Sequence, residues 1–555
     1  MAKRIIALLT VLVMAVTIIS GCSKSKDKEY TYDEAVTELK AFNDKIPTDT
    51  LTPRMDIYDD DTNLVHLADI STFPIVVEGK GDINIEIATA TEMSSDAPDD
   101  FLKVVAENFN KSGAEIDGKS VSVSIRKITS GEVLTYMTDS DYRPDAYVPS
   151  SEAWGEMLSS KGIKTVEIAD RLAGNTAGIL MEKNTHDEFV SSHGEVTLSN
   201  VLEAAIAKEL TFAYTNPYTS STGLNILTAM LHSFDSDNPL SSSAQQKLLD
   251  YQKEAPPVAY TTGVLRDQAS KGIIKAMVME EQAYVNTPEL SDYVYTPAGI
   301  RHDHPLYSFD YVSSEKQSAA KLFAEYCKND DNQKLATEKG FNLHDDYKSQ
   351  PSGLDGAGYL SAQKIWKQSK DGGQPIIAMF VADISGSMAG TPIKSLKNAL
   401  LSTSSYISSD NYIGLVSYAD NVHINLPIEK FDNEQRAYFS GAVKDLDIEG
   451  STATYNAVLV ALKLMIEKKE EIPNAKMMLF VLSDGDQNKG YTLDRVTPIV
   501  AGLNVPVYSI GYNLNEGARA TSELEKLSGI NEATLINANS DDLITHMRNL
   551  FNVEL

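Results

Sequence analysis

Residues 375–388 read PIIAMFVADISGSM. The uncharged run at 375–382 predicts a strand that is buried on both faces of a sheet. A polar loop follows at 383–388, and the pattern beyond it predicts a helix at about 392–406. In α/β sheets, ligands bind at loops that leave the carboxyl ends of parallel strands. We therefore expect this loop to carry a functional site.

Two further segments place a short polar stretch next to a predicted helix or strand. The sequence GST at 450–452 precedes a predicted helix at 455–468, and the apolar run at 477–482 ends in SDGD. A third buried strand is predicted at 505–511. The sequence thus predicts that residues 374–555 fold as a doubly wound, mostly parallel α/β sheet.

The polar loops resemble the metal-ion-dependent adhesion site of von Willebrand factor A domains. The resemblance rests on the D-x-S-G-S-M string at 383–388, on the Thr of the GST segment and on the acidic loop after the second strand. Ser451 departs from the Gly-Gly that usually precedes the Thr in that family. The resemblance implies a metal site formed by Asp383, Ser385, Ser387, Thr452 and Asp484, in which the two carboxylates bind directly or through water.

The chemistry of these side chains agrees with that expectation. Hydroxyl and carboxylate oxygens without Cys or His favour Mg²⁺, Mn²⁺ or Ca²⁺ over Zn²⁺. The resemblance implies that a carboxylate from a partner protein completes the coordination of the metal. The alternative is a degenerate domain that keeps the fold and binds no metal.

The first residues predict export. Lys3 and Arg4 precede an apolar run at 5–19, and the sequence ISGC at 19–22 resembles the bacterial lipobox. The resemblance implies that residues 1–22 are a signal peptide and that Cys22 carries fatty acyl chains, which hold the protein outside the cytoplasm at the cell membrane. A membrane anchor with a chance Cys is the alternative. Residues 23–81 are predicted to be a polar tether and a small leading segment.

Residues 82–345 alternate between strand and helix patterns and resemble type 2 periplasmic solute-binding proteins. The segments at 144–151, 214–223 and 272–280 carry the resemblance, which implies two α/β lobes with a ligand cleft between them. Hydroxyl side chains stand where strands end and helices begin, and they suit oxyanions or sugar hydroxyls as well as ordinary helix caps. These candidate cleft residues are Thr91, Ser94, Ser95, Ser150, Ser151, Thr219, Ser220, Ser221 and Thr222. Residues 346–373, which are rich in glycine, are predicted to be a linker with one short helix near 362–368.

Composition and motifs narrow the function. The net charge of −29 argues against nucleic-acid binding, which needs clustered Lys and Arg. The sequence has no H-E-x-x-H, G-x-S-x-G or P-loop motif, and we expect no enzyme activity. One hypothesis is a surface lipoprotein that binds a protein partner through the metal site, with the two-lobed domain as a solute sensor or second recognition surface. The other is an extracellular receptor for a small polar solute that serves an ABC permease or a sensor kinase, with an accessory A domain.

Overall fold

The computed structural model describes residues 29–56 and 67–555, except positions 255, 257, 260, 261, 516, 532, 534, 540 and 541. The predicted signal peptide and Cys22 lie outside the described residues. Within the described ranges, no helix has both the length and the apolar character needed to cross a membrane.

The first elements of the described chain pack against the C-terminal domain. Helix α1 (Tyr32–Asn43) starts with a capping box formed by Thr31 and Glu34, and strand β1 (Thr48–Thr50) pairs in parallel with the strand Val422–Lys430. This differs from the expected separate leading segment at 23–81. A single amphipathic helix has no stable core of its own, so α1 buries its apolar face in the hydrophobic core of the C-terminal domain.

The next part of the chain forms the two-lobed region. Its strands are β2 (Ile75–Val77), β3 (Ile83–Thr89), β4 (Glu115–Ile116), β5 (Lys119–Lys127), β6 (Ala146–Val148), β7 (Thr165–Ala169), β8 (Asn175–Glu182), β9 (Tyr214–Thr215), β10 (Val258–Ala259), β11 (Ala276–Glu280), β12 (Tyr293–His302) and β13 (Leu306–Phe309). Its helices are α2 (Thr91–Ser94), α3 (Phe101–Lys111), α4 (Ser130–Asp139), α5 (Ala153–Ser160), α6 (Lys183–His193), α7 (Leu198–Ile206), α8 (Ser221–Phe234), α9 (Ser242–Lys253), α10 (Thr262–Ser270), α11 (Glu281–Val285), α12 (Ser314–Cys327), α13 (Asp330–Glu338) and α14 (Gly356–Ser369). Short 3₁₀ turns lie at Ile70–Thr72 and Pro288–Leu290.

The two lobes have separate sheets. The first lobe has the strand order β2-β5-β3-β6-β13-β7, with β4 paired to β5. The second lobe has the antiparallel order β11-β8-β12 and a small parallel pair of β9 and β10. The chain passes from the sheet of the first lobe to that of the second between β7 and β8 and returns between β12 and β13, so two connections join the sheets.

Within the predicted linker at 346–373, residues Gly356–Ser369 form a helix that packs against the rest of the protein. Helix α14 places Ala362 and Trp366 in the core of the second lobe, and the Trp366 Nε1 donates a hydrogen bond to the Tyr214 hydroxyl over 2.7 Å. Gly356 serves close packing, because a Cβ at this position would lie 2.1 Å from the Glu156 carbonyl oxygen. Gly356, one of the glycines that indicate a linker in the sequence, therefore allows this helix to approach α5.

The C-terminal domain has the predicted fold. Its strands are β14 (Ile376–Asp383), β15 (Tyr412–Tyr418), β16 (Val422–Lys430), β17 (Lys476–Ser483), β18 (Val507–Tyr512) and β19 (Leu535–Ala538), and its helices are α15 (Thr391–Thr403), α16 (Asn433–Lys444), α17 (Thr454–Glu471), α18 (Leu493–Leu503), α19 (Arg519–Gly529) and α20 (Leu543–Glu554). Two 3₁₀ turns lie at Gly386–Met388 and Ser404–Tyr406. The strand order is β1-β16-β15-β14-β17-β18-β19, and only β15 and β16 pair antiparallel. Every residue of the central strand β14 is buried between the two apolar cores that cover the sheet.

Candidate functional site

The polar loops of the C-terminal domain meet because of strand register. Strands β14 and β17 are parallel neighbours in which Ala382 pairs with Leu482, so both chains leave the sheet at the same edge. Strand β15 ends beside them, with Tyr418 opposite Asp383. The carboxyl ends of three strands therefore surround one point.

Asp383 is the buried anchor of this site. Its Oδ1 accepts a hydrogen bond from the Ser385 backbone N–H over 2.8 Å. Its Oδ2 accepts hydrogen bonds from the Ser483 hydroxyl over 2.7 Å and from the Tyr418 hydroxyl over 3.2 Å. Burial raises the pKa of the Asp383 carboxyl, and the negative charge of Asp484 adds to the rise. These three donors fix the carboxylate in one orientation.

A line of hydrogen bonds leads from this anchor towards solvent. The hydroxyl oxygens of Ser385 and Ser387 lie 3.1 Å apart, and the Ser387 hydroxyl donates to Asp484 Oδ1 over 2.8 Å. Ser387 is exposed and Asp484 is half-buried. Burial raises the pKa of Asp484, and the hydrogen bond from Ser387 partly offsets that rise. Four of the five predicted metal-site residues are thus joined in one network.

The fifth residue, Thr452, lies on a loop that neighbours the serine loop. The loop before it is fixed to the serine loop, because the Gly386 N–H donates to the Gly450 carbonyl over 3.0 Å. The Thr452 N–H donates to Asn488 Oδ1 over 2.9 Å, and the residue is buried. The structure therefore places all three predicted loops side by side.

The donor set fits a hard cation. The five side chains supply two carboxylates and three hydroxyls, which are oxygen ligands of the kind that Mg²⁺, Mn²⁺ and Ca²⁺ accept. Among the described residues, no three His, Cys, Asp or Glu side chains are placed together to hold a metal, either at this sheet edge or elsewhere. Any metal at the sheet edge would therefore depend on the serine and threonine hydroxyls.

Sequence reasoning missed the residues that orient Asp383. Tyr418 and Ser483 both donate to its Oδ2, and each is the last residue of its strand. Ser483 stands directly before the acidic loop and could have been singled out by that position. Tyr418 gives no such signal, because only strand pairing brings it opposite Asp383.

The two lobes of the middle region enclose a cavity of about 320 Å³. Six of the nine candidate cleft residues line it, namely Thr91, Ser95, Ser150, Thr219, Ser220 and Ser221. Ser220 also accepts a hydrogen bond from the Gly223 N–H, so it caps helix α8 while it lines the cavity. The cavity lies between the lobes, as the sequence predicted.

The remaining three candidates do not line the cavity. The Ser94 hydroxyl donates to the Ala90 carbonyl over 2.9 Å, and the Ser151 hydroxyl donates to Asn225 Oδ1 over 3.1 Å. The Thr222 hydroxyl donates to the Glu280 carboxylate. Each of these hydroxyls is used inside the protein.

Charged side chains in the cleft were also missed by sequence reasoning. Glu92, Asp99, Arg266 and Glu280 all line the cavity. Arg266 forms an ion pair with Asp99 at 3.0 Å across the two lobes. Glu280 ends the buried strand β11, which is the signal that could have identified it.

The pKa values of two buried carboxyl groups in the cleft, Glu92 and Glu280, are shifted by burial and by neighbouring charges. Burial opposes ionisation of Glu92, but the hydrogen bond and charge of His304 outweigh it and lower the pKa of this carboxyl. Burial raises the pKa of Glu280, and the negative charge of Glu92 adds to that rise. Burial lowers the pKa of the neighbouring His302 to about 4, so its ring is neutral at pH 7.

Comparison with known families agrees with this architecture. Residues 379–550 match the model of the von Willebrand factor type A domain, and residues 91–342 match that of the bacterial extracellular solute-binding proteins. The chain contains both domains. The solute-binding domain comes first and the A domain follows, in the order that the sequence predicts.

The curated relatives are much longer proteins. The inter-alpha-trypsin inhibitor heavy chain H3 of Bos taurus is 27% identical over 157 residues, which cover 26% of this chain and 17% of that protein. Heavy chain H1 of Homo sapiens is 28% identical over 170 residues, which cover 29% of this chain and 18% of that protein. The chain thus spans less than a fifth of the length of these relatives.

Solved structures of both kinds are similar to parts of the chain. A von Willebrand factor type A protein from Catenulispora acidiphila is 20% identical, with a TM-score of 0.29, over 32% of this chain and 42% of that one. The sulfate-binding protein SubI from Mycobacterium tuberculosis is 15% identical, with a TM-score of 0.35, over 47% of this chain and 88% of that one. Iron-bound HitA from Pseudomonas aeruginosa is 12% identical, with a TM-score of 0.38, over 52% of this chain and 99% of that one.

Proposed function

We propose that the A domain binds a protein partner through a divalent metal held by Asp383, Ser385, Ser387, Thr452 and Asp484. The observation that carries the proposal is the hydrogen-bonded line from buried Asp383 to Asp484 at the edge where three strands end. Oxygen donors from two loops meet there, the loop of Thr452 lies beside them, and Mg²⁺ or Mn²⁺ matches the chemistry of the five side chains.

The residues of this site differ in how deeply they are buried, and we assign them different roles on that basis. Asp383 is fully buried and held by the hydroxyls of Tyr418 and Ser483, so it supplies a fixed negative charge beneath the loop. Ser387 and Asp484 lie nearer to solvent, where a partner can reach them. A metal bound here would supply an electrophilic cation, and a carboxylate of the partner is the group that suits such a cation.

The rest of the chain has a supporting role in this proposal. The enclosed cavity between the lobes supports binding of a small polar solute, which makes the solute-binding domain a sensor or second recognition surface. Acyl chains on Cys22 would hold the protein at the outer face of the membrane. We propose binding rather than catalysis as the function of both domains.

Metal titration tests the proposal. Isothermal titration of Mg²⁺ and Mn²⁺ into the full chain should give saturable binding for the wild type. Asp383→Asn should weaken that binding at least about tenfold, because a charged ligand of a hard cation is lost. Asparagine is preferable to alanine, because its oxygen can still accept from the Tyr418 and Ser483 hydroxyls.

The matched control is Asp447→Asn, which removes an exposed carboxylate from the same domain. The control should bind metal as the wild type does. Equal uptake by the wild type and Asp383→Asn, or no uptake by either, would show that the site is not a metal site. Capture of a partner protein should then be lost in EDTA and in Asp383→Asn, and should be kept in the control.

A further inference from the structure

The cleft between the lobes contains one Lys or Arg side chain among its described lining residues, and that side chain is already paired. Arg266 contacts Asp99 at 3.0 Å, and the Gln282 amide Nε2 donates to the same carboxylate over 2.6 Å. A solute that enters the cavity therefore meets no free guanidinium or ammonium group. Oxyanion-binding clefts need such donors or a set of free backbone N–H groups.

Besides this ion pair, the charged side chains in the described lining of the cavity are two carboxylates. Glu92 and Glu280 line it from opposite lobes, and their charges act on each other, because Glu92 raises the pKa of Glu280. The histidine beside Glu280 gives little compensation, since His302 is fully buried and lies 3.7 Å from the Glu280 Oε1 with its pKa lowered to about 4. His304 Nε2 lies 3.4 Å from Glu92 Oε1 and offsets part of the Glu92 charge. The described lining still holds three carboxylates, Glu92, Asp99 and Glu280, and this excess of negative charge disfavours an anion and favours a cation.

Buried polar atoms without partners point to a missing ligand. Among the residues that the structure describes, the Oε1 of Gln282 and the Oγ1 of Thr219 have no hydrogen-bond partner. Gln282 is fully buried and Thr219 is 7% exposed, and both line the cavity. The amide Nε2 of Gln282 is used by Asp99, so its free atom is an acceptor. A buried acceptor without a donor costs free energy, and a ligand with N–H groups would remove that cost.

We propose that this cleft binds a small organic cation with N–H donors, an ammonium or guanidinium compound, between the carboxylates of Glu92 and Glu280 and the Gln282 amide oxygen. The proposal rests on the proposed role of the cleft as the solute site and names the class of its solute. The volume of about 320 Å³ is at the lower end of small-molecule pockets, which limits the ligand to a compact molecule. Hydroxyls such as Ser150 and Thr262 line the same cavity and can accept further N–H groups.

A series of small probes of different charge, in which 1,4-diaminobutane and 1,4-butanediol are matched in size, tests this inference on the wild-type full chain. The probes are 1,4-diaminobutane and agmatine as cations, 1,4-butanediol as the neutral molecule, and succinate and sulfate as anions, all in EDTA so that the A domain holds no metal. Only the cations should raise the melting temperature, because a ligand that binds the folded state stabilises it by mass action. Isothermal titration should show affinity that falls with added salt.

The outcomes separate this inference from the proposed function. If succinate or sulfate stabilises the protein and the cations do not, the cleft is a solute site but its ligand is an anion. If the diol binds as well as the diamine, charge does not select the ligand and the inference fails. If none of the five probes binds, both the cationic ligand and the solute-binding role are contradicted.

A variant identifies the carboxylate that is involved. Glu280→Gln keeps the shape of the side chain and one oxygen, which can still accept from the Thr222 hydroxyl, while an amide NH₂ replaces the oxygen that accepts from Thr262 and the charge is removed. It should weaken diamine binding at least about tenfold, as expected for loss of a charge-assisted hydrogen bond. The matched control is Glu188→Gln, an exposed glutamate of the second lobe, which should bind as the wild type does. Equal affinity of Glu280→Gln and the control would overturn the assignment.

Discussion

Replacing Arg548 with methionine should destabilise the protein at the junction of its two domains. Arg548 lies on α20 of the A domain, and its guanidinium donates to the carboxylate of Glu132 on α4 of the first lobe. The two side chains are only 4% and 3% exposed. Burial opposes the charge on Arg548, yet attraction to Glu132 keeps its pKa above the usual value. This is a buried ion pair between domains.

The expected cost follows from the burial of both charges. Removing one partner of a buried pair costs about 3–5 kcal/mol, because the other charge stays buried without compensation. The pair is only partly satisfied, since Glu132 Oε1 and Arg548 Nη1 lack partners among the described residues. We therefore expect the lower end, about 3 kcal/mol, for Arg548→Met or Glu132→Leu alone. The double variant should be close to neutral, because neither charge is then left unpaired.

Urea denaturation of the four proteins, followed by far-ultraviolet circular dichroism, completes the double-mutant cycle. As a control, Lys271→Met breaks an exposed pair with Asp267 and should change stability by less than about 1 kcal/mol. The reasoning is refuted if Arg548→Met costs no more than this control. It is equally refuted if the double variant loses the sum of both single effects.

Three further predictions concern other parts of the chain. Cys22→Ala should abolish labelling by a palmitate analogue that marks the wild type, and equal labelling would contradict lipidation. A fragment of residues 374–555 should be less stable than the full chain and elute as aggregates in size-exclusion chromatography, because it lacks α1 and exposes the apolar surface that α1 covers. Burial lowers the pKa of His423, but contacts with Glu449 and Asp49 outweigh it and leave that pKa above 6.5. The protonated ring stabilises the folded state below the unfolded-state pKa, and this stabilisation is lost as pH rises through the folded-state pKa. Urea denaturation should therefore give a free energy of unfolding that falls by less than about 1 kcal/mol between about pH 6 and about pH 9, and His423→Gln should lack this fall.

Local pattern was sufficient to predict the main strands of the C-terminal domain, and the resemblance to von Willebrand factor A domains supplied the residues of the proposed metal site. The uncharged run at 375–382 predicts a strand within one residue of Ile376–Asp383, because a strand that is buried on both faces has a nearly continuous apolar sequence. The loops that follow the strands share one edge, since parallel strands end on the same side of a sheet. The convergence of Asp383, Ser387 and Asp484 therefore follows from the strand predictions alone.

Pairing between distant parts of the chain could not be predicted in this way. Thr48 pairs with Val422, and Asn43 donates to the Leu459 carbonyl over 3.0 Å, so α1 and β1 complete a domain whose other elements follow the whole solute-binding region. Nothing in the local sequence of α1 distinguishes a helix that docks on a remote sheet from one that begins a separate unit. The charges of the cleft were missed for the same reason, because Glu92 and Glu280 lie far apart in the sequence and only the tertiary fold brings them to one cavity.

Helix α4 links the two functional regions of the molecule. Thr129 and Ser130 at its start line the cavity between the lobes, and Glu132 in the same first turn pairs with Arg548 of the A domain. A buried ion pair adds little net stability compared with apolar packing, but it tolerates only a narrow range of geometries. The Lys367 ammonium adds a second polar contact at this junction, since it donates to the carbonyl oxygens of Phe551 and Asn552 over 2.9 Å. The ion pair therefore fixes the position of the first turn of α4 relative to α20. Because that turn also lines the cavity, one wall of the cleft contacts the A domain directly.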